Sequence, residues 1–347
     1  MIQTSVFGKT IDGKDVMAFK LRDGANEAVI LNRGGIIQSL KIADKEGNPV
    51  DVVLGYNDVA GYENNGGYLG ALIGRVGNRI EKGRLVIDGQ EHSLYCNDRG
   101  NHLHGGKNGF DKKLWNYVFT DSNTLELSLI SPDGDENYPG NLNVQVRYTF
   151  LNGELKIDYL AMSDKRTAIN LTNHAYFNLD GEGSGNVLDT LLWLDADRIT
   201  PTDETLIPHG EFRNVEGTPF DFTRPHRIGE RIGDTDDPDI RNQNGYDVCY
   251  VCNKPAGAYA KIAEAESERT GIAMEVYTDK PAVQLYTGNG LRQNGKSGYY
   301  NRYYGFCLET QFIPNGVNCP AYAALGDAIY DKNKIYHFTT VYKFFVK

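Results

Sequence analysis

Apolar and polar residues alternate over short stretches along most of the chain, and Gly, Asn and Asp separate one stretch from the next. Alternation with a period of two is typical of strands that bury one face, and few stretches carry the period of a helix. The pattern therefore predicts an all-β fold, a large antiparallel β-sandwich of many strands. The sequence has no repeat of fixed length, which argues against a propeller or a solenoid.

Two hairpins are the clearest predicted elements. Asp88-Gly89 and Asn152-Gly153 lie between β-prone stretches, and such dipeptides supply the positive φ angles of tight turns. Alternation around the second turn predicts one buried face. The residues of that face are Val146, Tyr148, Phe150, Leu155, Ile157 and Tyr159. Two or three short helical turns are expected, for example around residues 225–232 and 321–330.

Length and composition fit a globular protein with a large core. The chain has 347 residues, of which 40% are hydrophobic and 24% are charged, an ordinary balance for such a protein. All-β folds often exceed the usual domain size, and no Pro/Ser-rich linker or break in composition divides the chain. We therefore expect residues 1–347 to form a single domain.

The charge of the chain narrows the class of partner. A formal net charge of −10 disfavours binding to nucleic acid and to anionic membranes, because both recruit clustered Lys and Arg. The sequence lacks a signal-peptide pattern and any run of roughly 18 apolar residues. These features predict a cytoplasmic protein whose partner is a small neutral molecule.

The cysteines do not predict a disulfide framework. Five cysteines scattered through a long chain are an odd number, so we expect free thiols. Cys249 and Cys252 form a C-x-x-C motif inside a strand-like run. A strand would point these two side chains to opposite faces, which disfavours a metal or redox site.

Two clusters in the first third of the chain could bind a ligand. In GRVGNRIEKGR, glycines surround Arg75 and Arg79, so the backbone could approach a ligand closely, although a solvated surface loop is the simpler interpretation. In NHLHGG, His102 and His104 would share one face of an extended strand. This is a familiar metal-ligand spacing, but no third ligand follows at a recognisable distance, so no metal is predicted.

Three further segments each place one titratable residue in an apolar strand. His174 lies in INLTNHAYFNLDG, where acid-base chemistry and a buried structural histidine are both open interpretations. Asp247 in NGYDVCYV and Glu309 in GFCLETQFIPNG must face solvent, pair with a cation or line a pocket. The 22 tyrosines and 14 phenylalanines could offer platforms for a sugar ring, although strands favour aromatic residues in any case.

Five motifs occur together in one chain order: GNRI, NHLHGG, TNHAYFNL, GYD before a short hydrophobic strand, and LETQ followed by F-I-P-N. With the flanking segments LNRGGIIQSL and YHFTTVYKF, the chain resembles the galactose mutarotase (aldose 1-epimerase) family along its whole length. The resemblance implies a single-domain supersandwich with an open cleft on one sheet. It also implies interconversion of the α and β anomers of free aldohexoses such as galactose and glucose, with no metal or other cofactor.

The resemblance also implies roles for particular residues. Glu309 corresponds to the general base of the family and His174 to its general acid. The residues expected to hold the monosaccharide are Arg79, His104, Asp247 and Asn78. Phe177 or Tyr286 would supply a stacking ring, and His102 would be structural.

Two other functions stay open at this stage. One is epimerisation of a hexose 6-phosphate, which would require additional Arg or Lys to hold the phosphate. The other is carbohydrate binding without turnover, which would not require an acid and a base. The expected assembly is a monomer or a weak homodimer.

Overall fold

Short antiparallel strands are the main regular structure of the protein. A computed structural model describes residues 2–347, which contain 29 strands. They are β1 Gln3–Lys9, β2 Asp15–Asp23, β3 Asn26–Leu31, β4 Ile37–Ala43, β5 Pro49–Asp51, β6 Ala71–Ile73, β7 Arg79–Ile80, β8 Arg84–Ile87, β9 Gln90–Ser93, β10 His102–Leu103, β11 Asn116–Phe119, β12 Thr124–Ser131, β13 Leu142–Leu151, β14 Glu154–Ser163, β15 Thr167–Ala168, β16 Thr172–His174, β17 Leu191–Leu194, β18 Arg198–Thr200, β19 Arg213–Asn214, β20 His226–Arg227, β21 Asp247–Val251, β22 Ala260–Glu266, β23 Ile272–Thr278, β24 Ala282–Tyr286, β25 Gln293–Asn294, β26 Tyr299–Tyr300, β27 Cys307–Gln311, β28 Ile329–Tyr330 and β29 Tyr336–Val346. The predicted all-β class is confirmed.

Helices are few and short. The α-helices are α1 Val59–Asn64 and α2 Pro238–Gln243, and the 3-10 helices are Glu81–Gly83, Phe110–Lys112, Asp135–Asn137, Ile228–Glu230, Gly316–Asn318 and Pro320–Leu325. The two predicted helical turns coincide with the fourth and the last of these 3-10 helices, but residues 329–330 are strand β28 rather than helix. The sequence did not predict α1 or α2, because six residues are too few to reveal a helical period. No helix among residues 2–347 has the length and apolar character that crossing a membrane requires.

The largest sheet contains nine strands in the order β11-β12-β13-β14-β29-β23-β22-β17-β20. Both predicted hairpins are confirmed: β8 pairs with β9 around Asp88-Gly89, and β13 pairs with β14 around Asn152-Gly153. All six residues predicted for the buried face of the second hairpin are fully buried. The strand β29 lies in the middle of this sheet, between β14 and β23.

Two five-stranded sheets accompany the large one. The first is β1-β2-β3-β4-β5, and the second has the order β19-β18-β21-β24-β27. One continuous core joins them to the nine-stranded sheet, with Phe19 from the first, Tyr148 from the large sheet and Leu308 from the second. Between the sheets, the Tyr342 hydroxyl of β29 donates to the Leu308 carbonyl of β27 at 3.1 Å. This arrangement is the predicted β-sandwich.

The cysteines behave as the sequence predicted. All five are free thiols, and four of them are buried. Cys249 packs into a small cluster with Ile313 and Tyr322, whereas Cys252 packs into the main core. Their side chains therefore lie on opposite faces, and the C-x-x-C motif does not form one site.

Candidate active site

The second five-stranded sheet presents polar residues on the face that points away from the core. Across β21, β24 and β27, Asp247 lies opposite Tyr286, which lies opposite Cys307. The next row on that face is Cys249, Gln284 and Glu309. Neighbouring positions such as Val248 and Leu308 point into the core instead. Because side chains alternate along a strand, one sheet buries an apolar face and offers a polar one.

His174 approaches this polar face from another pair of strands. It ends β16, which is antiparallel to β6 with His174 opposite Ala71. The strand β16 lies beside β27. As a result, His174 Nε2 lies 3.6 Å from Glu309 Oε1, and only 6% and 2% of the two side chains are exposed.

Three site residues adopt left-handed backbone conformations: Tyr68 at φ 56°, Asn78 at φ 59° and His104 at φ 51°. Non-glycine residues rarely adopt such angles, and they concentrate at functional sites where the surrounding structure holds them in place. The Asn78 amide donates to His104 Nδ1 at 3.0 Å, so each of these two turns fixes the other.

The prediction that His102 and His104 share a face is wrong. Strand β10 ends at Leu103, and the left-handed turn at His104 sends that side chain away from the direction of His102. His102 is fully buried and makes hydrogen bonds with both ring nitrogens, to the Tyr95 carbonyl at 2.8 Å and the Tyr138 hydroxyl at 2.7 Å. It has the structural surroundings that the resemblance implied.

These elements enclose a cavity of about 150 Å³, the Glu309 cavity. Its lining residues are Gly67, Tyr68, Asn78, Arg79, Leu103, His104, His174, Tyr176, Asp247, Tyr286 and Glu309. All six residues proposed from the sequence for catalysis or sugar binding are among them, although they lie far apart in the sequence. A volume of this size suits one small solute.

The aromatic lining differs from the sequence prediction. Tyr286 borders the cavity, whereas Phe177 is fully buried in the main core and cannot stack on a ligand. Two tyrosines that the sequence did not single out as ligand contacts, Tyr68 and Tyr176, lie near His174 with ring centroids 5.8 and 5.0 Å away. Tyr176 is two residues from His174, so strand-like alternation could have indicated it. No motif marks Tyr68, beyond the preceding Gly66-Gly67.

Arg75, the other arginine of the glycine-rich segment, has a different environment. Its guanidinium is buried and donates to the Ser131 hydroxyl and to four backbone carbonyls, those of Ser131, Pro132, Pro139 and Gly140. The solvated-loop interpretation is therefore wrong for Arg75, which joins neighbouring loops. Arg79 alone of this pair reaches the Glu309 cavity.

Burial shifts the pKa values of the two central groups in opposite directions. Desolvation, reinforced by the nearby Asp247, raises the pKa of Glu309 well above its ordinary value, while Arg79 acts weakly against this. Desolvation lowers the pKa of His174 to about 4. The Oε2 atom of Glu309 is buried and has no hydrogen-bond partner. An unpaired buried carboxyl oxygen is costly, and a ligand hydroxyl would satisfy it.

A polar network forms one wall of the cavity. Arg79 Nε donates to Asp98 at 2.8 Å, and Arg79 Nη1 lies 3.8 Å from Asp247. Gln284, which the sequence did not single out, donates to Asp247 at 2.7 Å. Burial raises the pKa of Asp247, and the neighbouring Arg79 opposes that shift. A carboxylate beside a guanidinium offers acceptors and donors together, which is what vicinal sugar hydroxyls require.

His104, His174 and Glu309 lie close enough to test for a metal site, because their ligand atoms are within 4.8 Å of one another. A metal ligand needs a free lone pair on the imidazole. The Asn78 amide uses the Nδ1 lone pair of His104, so the neutral ring carries its proton on Nε2 and has no lone pair left. The donor set therefore fits a hydrogen-bonding site better than a metal centre.

Comparison with known proteins decides the family. The sequence model of the family described as Aldose 1-epimerase matches residues 17–343. The chain belongs to the aldose 1-epimerase family. Galactose mutarotase of Bos taurus is 41% identical over 99% of both chains. Aldose 1-epimerase of Escherichia coli (strain K12) is 35% identical over 89% of this chain and 90% of its own.

A solved structure gives the same result for the fold. The crystal structure of an aldose epimerase homologue from C. elegans superposes with a TM-score of 0.87 at 28% identity, covering 95% of this chain and 98% of that one. The aldose 1-epimerase fold and function predicted from the motifs are therefore confirmed, and the protein is an isomerase.

Proposed function

We propose that this aldose 1-epimerase opens and recloses the ring of a free aldohexose with Glu309 as general base and His174 as general acid. The unpaired Glu309 Oε2, beside a His174 Nε2 that is 3.6 Å from the other carboxyl oxygen, is the observation that carries the proposal. Both groups border the same small cavity, so one sugar can contact both.

The reaction requires two proton transfers at adjacent atoms. Glu309, as the carboxylate, takes the proton of the anomeric hydroxyl, and protonated His174 gives a proton from Nε2 to the ring oxygen O5. The C1–O5 bond breaks and the electron pair of O1 forms the aldehyde. Rotation about C1–C2 presents the other carbonyl face, and reversal of both transfers closes the ring as the other anomer. The enzyme returns to its starting state.

Burial supports this division of labour. Because the pKa of Glu309 is raised and that of His174 is lowered to about 4, the two groups share one proton between about pH 4 and the raised pKa of Glu309. Reaction begins from the arrangement with this proton on His174. Each group can both give and take this proton, which an equilibration of two anomers needs.

The other lining residues would hold the sugar while it is open. We assign Arg79 and Asp247 to the hydroxyls, and His104 to a hydrogen bond near O5 that it donates from Nε2. Asn78 would act mainly by fixing His104. The rings of Tyr68, Tyr176 and Tyr286 would cover the apolar faces of the sugar. Anchors of this kind keep the open chain oriented, which supplies much of the rate enhancement.

The alternatives are less well supported. Arg79 is the sole cation among the described residues that line the cavity, and Asp98 and Asp247 already flank it. A hexose 6-phosphate would need further cations. A binding domain without turnover would not retain an unpaired buried carboxyl, because that group destabilises the fold without helping to hold a neutral ligand.

We also propose a domain organisation, an assembly state and a cellular location for the protein. We propose that residues 1–347 act as one domain, as a monomer or weak homodimer in the cytoplasm. The binding partner would be a monosaccharide, without nucleic acid, membrane or cofactor. The net charge of −10 supports the exclusion of polyanionic partners.

Polarimetry tests the proposal directly. Freshly dissolved α-D-galactose and α-D-glucose should approach anomeric equilibrium faster in the presence of the protein, and the Glu309→Gln variant should reduce kcat by about a hundredfold or more. Glu264→Gln, on the nine-stranded sheet far from the cavity, is the matched control and should keep the wild-type rate. Normal turnover by Glu309→Gln would remove Glu309 as the base. Lack of acceleration by the wild type with both sugars would instead favour the phosphosugar or binding functions.

A further inference from the structure

The two ring nitrogens of His174 have different neighbours supplied by one strand. Glu309 Oε1 lies 3.6 Å from Nε2, and the Cys307 sulfur lies 3.5 Å from Nδ1. Cys307 precedes Glu309 by two residues on β27, so both side chains leave the same face of that strand. The thiol is fully buried. No other polar side chain among the described residues forms a hydrogen bond with it or with Nδ1.

Proton transfer at Nε2 restricts where the second ring proton can lie. A neutral imidazole has one N–H, and a bare Nε2 that can accept a proton requires the proton to be on Nδ1. Nδ1–H then needs an acceptor in a buried site, and the Cys307 sulfur is within reach, beside the backbone carbonyl of His174 itself. The thiol pKa is raised well above its usual value by burial and by the nearby carboxylates. The group therefore stays a neutral thiol, which can accept without becoming an ion.

We propose that Cys307 is a positioning residue: its sulfur accepts a hydrogen bond from Nδ1–H of His174 and so keeps Nε2 as the nitrogen that exchanges a proton in the cavity. The inference rests on the proposed function, since the tautomer affects turnover only if His174 is the acid. When His174 is protonated, the same Nδ1–H still donates to the sulfur, so the contact serves both protonation states.

The neighbouring His104 illustrates the opposite arrangement. There a backbone amide donates to Nδ1 at 3.0 Å, which places the ring proton on Nε2. The two histidines, whose ring centroids are 5.2 Å apart, thus differ in the group that faces Nδ1. A donor there makes His104 a hydrogen-bond donor to the sugar, and an acceptor there makes His174 a proton carrier.

Three variants separate this contact from simple packing. Cys307→Ala removes the acceptor, Cys307→Ser keeps a hydroxyl that accepts a hydrogen bond, and Cys307→Val fills the volume without an acceptor. Cys252→Ala, a buried thiol of the main core, is the matched control. The first readout is NMR of protein labelled with ¹⁵N at histidine, in which a protonated and a bare ring nitrogen resonate far apart. A His174→Gln sample assigns the signals of His174. The second readout is kcat and KM for α-D-galactose by polarimetry.

The expected tautomer of His174 is Nδ1–H in the wild type, in Cys307→Ser and in Cys252→Ala, with Nε2–H appearing in Cys307→Ala and Cys307→Val. For the last two variants kcat should fall about three- to tenfold, the effect of losing one hydrogen bond, with KM nearly unchanged. The inference is overturned if Cys307→Ala and Cys307→Val leave the tautomer unchanged, or if Cys307→Ser loses as much kcat as they do. If Cys307→Ala fails to fold, Cys307→Val takes its place. If the wild type does not accelerate mutarotation, the proposed function fails, and the NMR result alone still decides the tautomer.

Discussion

The surroundings of two side chains in the Glu309 cavity determine their protonation states. Glu309 and His174 are almost completely shielded from water, and burial favours the neutral form of each group. Their pKa values therefore move towards and past one another, because the carboxyl becomes a weaker acid and the imidazolium a stronger one. The charged neighbours Asp247 and Arg79 lie on the same wall and have opposite effects on Glu309. Between about pH 4 and the raised pKa of Glu309 the pair as a whole holds one proton.

These shifts predict the pH dependence of kcat/KM. Below about pH 4 the pair gains a second proton and loses its base, so activity falls. Above the raised pKa of Glu309 the pair loses its proton and therefore its acid, so activity falls again. Between these limits the profile should be flat. Polarimetric rates corrected for the uncatalysed reaction check this, and an acid limb near pH 6.5, the ordinary His value, would contradict it.

The residues differ in how readily sequence reveals them. Glu309, His174 and the four proposed anchors lie in motifs, because each motif surrounds a residue in contact with the cavity. Tyr68 lies outside any motif, and its position depends on a left-handed turn that its residue type does not favour. The surroundings of Cys307 were also hidden, because a cysteine in a strand is most often a small apolar residue. Only the strand register places its sulfur beside His174.

At the scale of elements, adjacent residues of β27 have different roles, one in stability and the next in catalysis. Leu308 is buried in the main core between the sheets, and Glu309 points the other way into the cavity. The core face contributes hydrophobic stabilisation, whereas the cavity face carries an unpaired carboxyl oxygen that costs stability. The alternation of side chains along β27 therefore lets one strand serve both the core and the cavity.

This division predicts opposite phenotypes for neighbouring substitutions. Leu308→Ala should lower the free energy of unfolding by about 2–5 kcal/mol, the usual cost of such a core cavity, and should keep most of its kcat at temperatures where the protein is folded. Glu309→Gln should lose kcat but unfold at the same or a higher temperature. Thermal unfolding and polarimetry on both variants check the expectation. A destabilised Glu309→Gln together with an inactive, stable Leu308→Ala would show that the faces are assigned wrongly.

The longer elements were predictable and the shortest were not. The hairpin β13–β14 has ten residues on each side of a glycine turn, which is enough to reveal a period of two. The strands β7 and β10, which place Arg79 and His104, have two residues each. No periodicity exists over two residues, so the turn that separates His102 from His104 depends on tertiary packing.

At the scale of the whole molecule, the buried Lys280 connects the nine-stranded sheet to segments that adjoin the active site. Lys280 is fully buried, and its Nζ donates to the Leu171 carbonyl at 3.2 Å and to the Tyr336 hydroxyl. The rings of Phe312, Tyr336 and Phe338 surround Nζ at 4.6–4.9 Å. Leu171 precedes β16, Phe312 follows β27, and the other two partners belong to β29. Burial lowers the pKa of Lys280 to about 7.

Lys280 should therefore give the stability of the protein a characteristic pH dependence. The unfolded chain keeps this proton up to about pH 10.5 and the folded protein releases it near pH 7. Between these values the unfolded state binds more protons, so the free energy of unfolding rises with pH, by up to about 1.4 kcal/mol per unit from this group. Below pH 7 both states are protonated and this contribution is constant.

Urea unfolding at several pH values between 7 and 9 measures the effect. The free energy of unfolding of the wild type should rise with pH relative to that of Lys280→Met, because only the wild type carries the buried amine. The exposed control Lys41→Met should follow the wild type at a constant offset. Parallel curves for Lys280→Met and the wild type would mean that the buried amine keeps its proton throughout this range.

The order of strands is the part of the fold that sequence patterns could not supply. Alternation predicts strands and a buried face, but every strand of this type could pair with several others. The position of β29 between β14 and β23 joins residues almost 200 positions apart for β14, as in the pairing of Glu154 with Lys343. Periodicity thus indicated a sandwich of many strands, but not the order in which those strands pair.

The central position of β29 has a consequence for synthesis on the ribosome. Residues 142–163 and 260–278 emerge first, yet the two halves of the nine-stranded sheet that they form cannot be joined until residues 336–346 have left the exit tunnel. Until then the open edges of β14 and β23 are available to other polypeptides. Folding of the nine-stranded sheet would therefore be completed only after nearly all of this sequence has been translated.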